Sequence, residues 1–183
     1  MRKQERYALT IEKLKEMFPN ADTELHYETP FQLLVAVILS AQCTDKRVNI
    51  VTPALFERYS SVKSMAESSQ EEIYSYIKSI SYPNSKSRNL KKMAERLHEV
   101  YHDNIPDNPQ ELQTLAGVGR KTAMVILAVL YKRAVMPVDT HVHRVSARIG
   151  LTLKAKNVLE TERQLLSNEL LERKEEIEFK VGD

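Results

Sequence analysis

The sequence predicts an all-α protein, and three observations predict it. Apolar residues recur three and four positions apart in segment after segment. Ser, Thr, Asp or Asn stands immediately before most of those segments, as helix starts require. The 183 residues hold four glycines, too few for a turn-rich β architecture, and no segment alternates convincingly enough to be a strand.

In chain order, Tyr7, Ile11, Leu14 and Phe18 mark a first amphipathic helix that ends near Pro19. Thr29-Pro30 is a start signal, with proline in the first helical position, for the apolar run Phe31 to Ala41. That run lacks a polar face and is predicted to be the buried central helix. Thr44 caps the next helix, in which Pro53 predicts a kink or a break. Ser69 with Glu72 forms a capping box ahead of Ile73, Tyr76 and Ile77. Pro83-Asn84 breaks the chain, and Leu90, Met93, Leu97 and Val100 mark another amphipathic helix. Asn108-Pro109 with Glu111 starts a short helix that ends near Leu115. Arg120 to Tyr131 is strongly apolar; Asp139 caps a helix from Thr140 to Ile149, which Gly150 stops. Asn157 with Glu160 starts a last helix carrying Val158, Leu159, Leu165, Leu166 and Leu170.

The length lies between one domain and two small ones, and 42% hydrophobic with 28% charged residues is an ordinary globular balance. The run Leu33 to Leu39 is far short of the roughly 20 apolar residues a membrane helix needs. The first five residues lead into no signal-peptide core, so the expected location is the cytoplasm or nucleoid. One cysteine, Cys43, forms no intrachain disulfide and holds no structural metal alone. Asn157 to Asp183 carry eight acidic and four basic residues, which leaves 1–156 at +6 within an overall +2. Basic pairs recur there, at Lys46-Arg47, Lys91-Lys92, Arg120-Lys121 and Lys132-Arg133; charge alone fits a polyanionic partner or solvated helix faces.

The chemistry concentrates in Leu115-Ala116-Gly117-Val118-Gly119-Arg120-Lys121-Thr122-Ala123, a short helix, a two-glycine turn and a helix. Such glycines permit positive φ and close approach of the backbone to a ligand. The N–H groups that open the following helix are suited to a phosphate, so the segment reads as a helix-hairpin-helix. It is no P-loop: Arg120 separates Gly119 from Lys121, the glycines are too close, and a helix, not a strand, precedes them. An ordinary glycine turn between helices is the plainer alternative. Lys121 sits where the positive end of a helix and the neighbouring Arg120 both disfavour a further positive charge. A lysine so placed becomes a nucleophile able to form a Schiff base, although simple pairing with phosphate also fits.

Eighteen positions later comes Val138-Asp139-Thr140-His141-Val142-His143. An aspartate at a helix start is usually a cap, but a carboxylate near the nucleophile can also offset charge on an oxocarbenium-like sugar. His141 and His143, with only Asp139 as an acidic neighbour and no cysteine nearby in the sequence, imply no metal site.

The hairpin and the following Asp139, with Leu39-Ser40-Ala41-Gln42-Cys43-Thr44-Asp45 and Tyr82-Pro83-Asn84-Ser85-Lys86, resemble the endonuclease III family in motif order and spacing over about residues 25 to 150. The resemblance implies a two-lobed all-α DNA glycosylase fold with DNA across the cleft between lobes. A six-helix lobe with the hairpin would span 22–135, and 1–21 with 136–183 would form the second lobe. It implies Lys121 as nucleophile and Asp139 as its carboxylate partner. Gln42 would fill the gap left by an extruded nucleotide, against the alternative of a local helix-end cap. Tyr82, where the family often has leucine, would be a second wedge able to stack. Leu115, Gly117, Val118, Gly119, Arg120 and Thr122 would grip the DNA backbone, with His141 close to it.

The implied activity is removal of damaged bases, oxidised pyrimidines above all, with AP-lyase cleavage. The partner is duplex DNA with a damaged base or abasic site, bound by a monomer. Relatives that cleave by water alone lack a lysine at this position, so Lys121 favours the lyase. The family's iron–sulfur cluster is expected to be absent, since one cysteine cannot hold it. The sequence ends before the segment that carries that cluster, so the second lobe is expected to be incomplete. The apolar faces of Tyr7, Ile11 and Leu14 and of Leu165, Leu166 and Leu170 are then expected to be exposed, rearranged or covered by a partner. Met124 replaces an asparagine common in the family, with no consequence that follows from the residues. A DNA-binding module that has lost catalysis is the alternative function; a helical protein-interaction domain explains neither the hairpin nor the lysine.

Overall fold

A computed structural model describes residues 3–167, and every regular element among them is helical. The helices are α1 (Lys3–Met17), α2 (Pro30–Ser40), α3 (Asp45–Arg58), α4 (Val62–Ala66), α5 (Gln70–Ile77), α6 (Pro83–Tyr101), α7 (Pro109–Leu112), α8 (Arg120–Tyr131), α9 (Thr140–Arg148) and α10 (Val158–Leu165). They fall into two compact units: Thr23–Arg133, with α2 to α8, and the described part of Met1–Asp22 with Ala134–Asp183, with α1, α9 and α10. Leu170 lies outside the described residues. Among those described, no helix is long and apolar enough to cross a membrane.

The larger unit is built around α2. Thr29 Oγ1 accepts from Gln32 N–H at 3.2 Å, which starts the helix where Pro30 fixes φ. Leu33, Leu34, Val35, Ala36 and Leu39 are fully buried, so α2 has no solvent face along its middle. Each such aliphatic side chain contributes roughly 1.5–3 kcal/mol by leaving water, which explains why a helix with no polar stripe is central. Around it, α2 packs on α3, α6 and α8, and α6 also takes α4 and α5.

Several local expectations change on inspection. Pro53 does not break its helix: α3 continues to Arg58, because the proline is exposed while Val51, Thr52 and Leu55 anchor the other face. The short helix α4 has no counterpart in the apolar periodicity; Ser61 and Ser64 close a serine-only capping box around it. At α5 the expected box is half formed. Ser69 accepts from Glu72 N–H, but the Glu72 carboxylate turns to the Ser68 hydroxyl at 2.9 Å and to Arg58 at 2.6 Å. Helix α6 begins at Pro83, seven residues before its apolar stripe, and Val100 at its far end is half exposed.

The smaller unit has its own core of Tyr7, Val138, Leu151 and Leu165, with Met136 and Val142 packed against it. This corrects the expectation for Tyr7 and Leu165, which are buried because the chain returns through Leu151 to cover them; Leu14 stays exposed. The Tyr7 hydroxyl donates to the Leu151 carbonyl at 2.6 Å, 144 residues away, and Arg6 donates to the Gly150 carbonyl at 3.2 Å. Gly150 has φ +72, a conformation that a residue with a Cβ adopts only with strain, so the end of α9 favours glycine. His143 Nδ1 and the buried Thr161 hydroxyl, 2.6 Å apart, tie α9 to α10.

Replacing Tyr7→Phe keeps the ring and removes the donor to a buried carbonyl. It is expected to lower stability by about 1–2 kcal/mol, measured by urea unfolding.

Candidate functional site

Three pieces of the larger unit converge at the C-terminal end of α2: the loop after α2, the start of α6, and the turn before α8. Helix α2 stops at Ser40, and Gln42 follows with φ +53, exposed to solvent. Tyr82, the residue before α6, has φ +56 and ψ +50 and is 65% exposed. A left-handed backbone is costly for residues with a Cβ, so both conformations must be held by their surroundings.

The turn before α8 approaches the same place. Gly117 has φ +84, and a Cβ on it would stand 3.1 Å from Ile38 Cγ2 of α2 and 3.2 Å from Asn89 Cβ of α6. Gly119 behaves differently from the expectation of two left-handed glycines. It is the N-cap of α8 with φ −87 and ψ −179, ordinary extended backbone, and nothing lies within 4 Å of where its Cβ would be. Gly117 is thus glycine for internal packing, whereas Gly119 leaves open space before a helix that no side chain caps.

The remaining hairpin residues divide by burial. Leu115 and Val118 turn into the core, with Val118 N–H donating to the Leu115 carbonyl at 3.1 Å. Their side chains hold the hairpin down, and any part they take at the surface is through backbone. Arg120 and Lys121 are exposed in the first turn of α8, and Thr122 is half-buried.

Asp139 and His141 belong to the smaller unit. Asp139 Oδ1 accepts from the N–H groups of His141 and Val142, both at 2.9 Å, so the half-buried carboxylate is the cap of α9 and is held in one orientation. His141 is exposed, while His143 is committed to Thr161.

Sequence reasoning missed Lys86. Its side chain is buried, 6% exposed, and Nζ donates to the carbonyls of Leu39 at 2.8 Å and Ala41 at 2.7 Å. Burial pushes its pKa below the usual lysine range. Its one signal was its place in the second motif, where a lysine reads as surface charge.

Among the described residues no cluster of His, Cys, Asp and Glu could hold a metal ion. The residues present do not fit an iron–sulfur cluster either, because four thiolates are needed and the 183 residues contain one cysteine.

The helices and glycine hairpin define a helix-hairpin-helix protein, and comparison with known proteins agrees. The sequence profile of the HhH-GPD superfamily base excision DNA repair proteins matches residues 35–169. Endonuclease III of Synechocystis sp. is 46% identical over 154 residues, covering 84% of this chain and 70% of that protein. Endonuclease III of Bacillus subtilis is 42% identical over 156 residues, covering 85% and 71%. A solved endonuclease III–DNA covalent intermediate, trapped as an estranged-adenine complex, superposes with a TM-score of 0.85 at 40% identity, over 91% of this chain and 78% of that one. The chain belongs to the endonuclease III family of base-excision-repair DNA glycosylases.

The two glycines should separate in a stability measurement. Gly117→Ala forces a methyl against Ile38 and Asn89 at positive φ and is expected to cost about 1–2 kcal/mol or more. Gly119→Ala should stay within about 1 kcal/mol of wild type in the same urea titration.

Proposed function

We propose that this chain is a bifunctional enzyme, an N-glycosylase and AP lyase that removes damaged bases, oxidised pyrimidines in particular, from duplex DNA. The observation that carries the reading is Lys121: an exposed lysine in the first turn of a helix that a bare Gly119 opens and no side chain caps. Helix N–H groups and a Cβ-free approach suit a DNA phosphate, and the amine stands beside that grip. The family assignment supports base excision from DNA as the reaction class.

The target nucleotide must leave the stack, which is easiest where pairing is already damaged. Gln42 takes the vacated place in the duplex and Tyr82 stacks at the opposite strand. Lys121 Nζ then forms a bond to the sugar C1′, and the bond from C1′ to the base breaks, the electron pair leaving with the base. Asp139 offsets the positive charge that grows on the sugar as this bond breaks. Loss of a proton from nitrogen and opening of the ring C1′–O4′ bond give an imine. Removal of a C2′ proton then expels the 3′-phosphate, and the strand is nicked. A relative trapped as a covalent DNA intermediate is compatible with the same bond on this chain.

The test is borohydride trapping on DNA with a single abasic site. The wild type should give a covalent adduct, and Lys121→Ala should give none. Binding to the duplex without an adduct would reduce the protein to a DNA-binding module. Asp139→Asn retains a good cap and removes the charge. It should slow base release about a hundredfold or more with stability nearly unchanged, whereas Asp139→Ala should also lose about 1 kcal/mol of stability. Gly119→Ala, harmless to the fold, should weaken duplex binding about tenfold, or 1.4 kcal/mol. Binding by the wild type should fall steeply with salt, as phosphate contacts require.

A further inference from the structure

Lys86 has no part in the steps above, yet its ammonium is buried, a costly placement unless every donor finds an acceptor. The acceptors it finds are at one place. The Leu39 carbonyl is left over where α2 ends, because Cys43 N–H, which a continuing helix would direct to it, bonds Ser40 O at 3.0 Å instead. The Ala41 carbonyl belongs to the peptide group that leads directly into Gln42. Both lie at a helix C-terminus, where a cation is favoured. Meanwhile the backbone N–H of Lys86 donates to the Tyr82 carbonyl at 3.0 Å, the bond that closes the first turn of α6.

One residue therefore holds the peptide before Gln42 through its ammonium and the carbonyl of Tyr82 through its backbone. These are two of the six non-glycine residues with positive φ among those described, at +53 and +56, and the two that flank the Lys86 contacts. We propose that Lys86 is a positioning residue that clamps Gln42 and Tyr82 into a single rigid inserting unit. A wedge that must enter a stacked duplex gains from such clamping, because misplacement by an ångström is costly in rate. The inference rests on the reading of Gln42 and Tyr82 as the inserting residues.

Lys91 provides the control. It lies on the same helix and its Nζ also reaches carbonyls, Ser68 at 2.9 Å and Ala66 at 3.3 Å, but it touches neither wedge loop. Lys86→Met keeps the length of the side chain and removes the donors. Two measurements are made on wild type, Lys86→Met and Lys91→Met. One is the rate of borohydride trapping at an abasic site in duplex and in single-stranded DNA. The other is the fluorescence of 2-aminopurine next to the site in the duplex, which rises when the stack is opened. In Lys86→Met, the ratio of duplex to single-strand trapping should fall about tenfold or more and the fluorescence rise should be lost. Lys91→Met should leave both within about twofold of wild type. If Lys86→Met does not fold cooperatively, Lys86→Gln carries the same comparison.

Equal loss on both DNA forms, or no loss on either, overturns the positioning role. A wild type that raises the fluorescence without trapping overturns the lyase chemistry, and the fluorescence of the variants then decides the role of Lys86. A wild type that does neither overturns both.

Discussion

The arrangement of the larger unit depends on a missing methyl group. At Gly117 the backbone comes so near α2 and α6 that a Cβ would stand 3.1 Å from Ile38 and 3.2 Å from Asn89, with φ at +84. Because that contact is possible, the turn before α8 lies on the end of the buried helix instead of beside it. Leu115 and Val118, on either side of the contact, sink into the core and hold the turn there. Beyond the contact the chain emerges at Gly119, Arg120 and Lys121, all exposed, the segment proposed to carry the chemistry. The placement of the amine thus follows from packing several residues away from it.

The sequence revealed the helices wherever an apolar stripe coincided with a cap. Thr29-Pro30 before Phe31, Asp139 before Thr140 and Asn157 before Val158 each start the helix that the residues predict. It was least informative where a conformation is imposed by tertiary contacts. Gln42 and Tyr82 carry positive φ with no glycine or asparagine to announce it. Lys86 reads as a surface charge and is buried, because its acceptors are carbonyls more than forty residues away, invisible to any local pattern. Gly119 shows the reverse failure. A second glycine in a turn suggests a second left-handed residue, whereas its backbone is extended and its purpose is space. Pro53 was read through its missing N–H alone, while packing of Val51, Thr52 and Leu55 outweighs that loss.

The smaller unit uses long-range closure for a different end. The Tyr7 hydroxyl reaches Leu151, and Arg6 reaches Gly150, so the first helix is pinned to the turn that ends α9. The opposite end of α9 is fixed by Asp139, whose Oδ1 takes two backbone N–H groups. A carboxylate held in this way is a stationary charge. Capping is therefore compatible with the electrostatic role proposed for Asp139, since it supplies the rigidity that such a role requires.

The helix starts make the general argument. Every α-helix opens with N–H groups that its own turns cannot satisfy. Side chains accept from them at α2, α3, α4, α5, α7, α9 and α10, through Thr29, Thr44, Ser61, Ser69, Asn108, Asp139 and Asn157. Among the helices whose N-cap residue is described, α6 and α8 begin without a side-chain cap, after Tyr82 and Gly119. Both begin at the place where the three loops meet, and one follows the exposed Tyr82 while the other carries Lys121. Capping elsewhere stabilises the fold from within, by about 1 kcal/mol at each site. Leaving these two starts without a side-chain cap gives up that stabilisation at the place where the three loops meet, in keeping with the phosphate grip proposed for the hairpin.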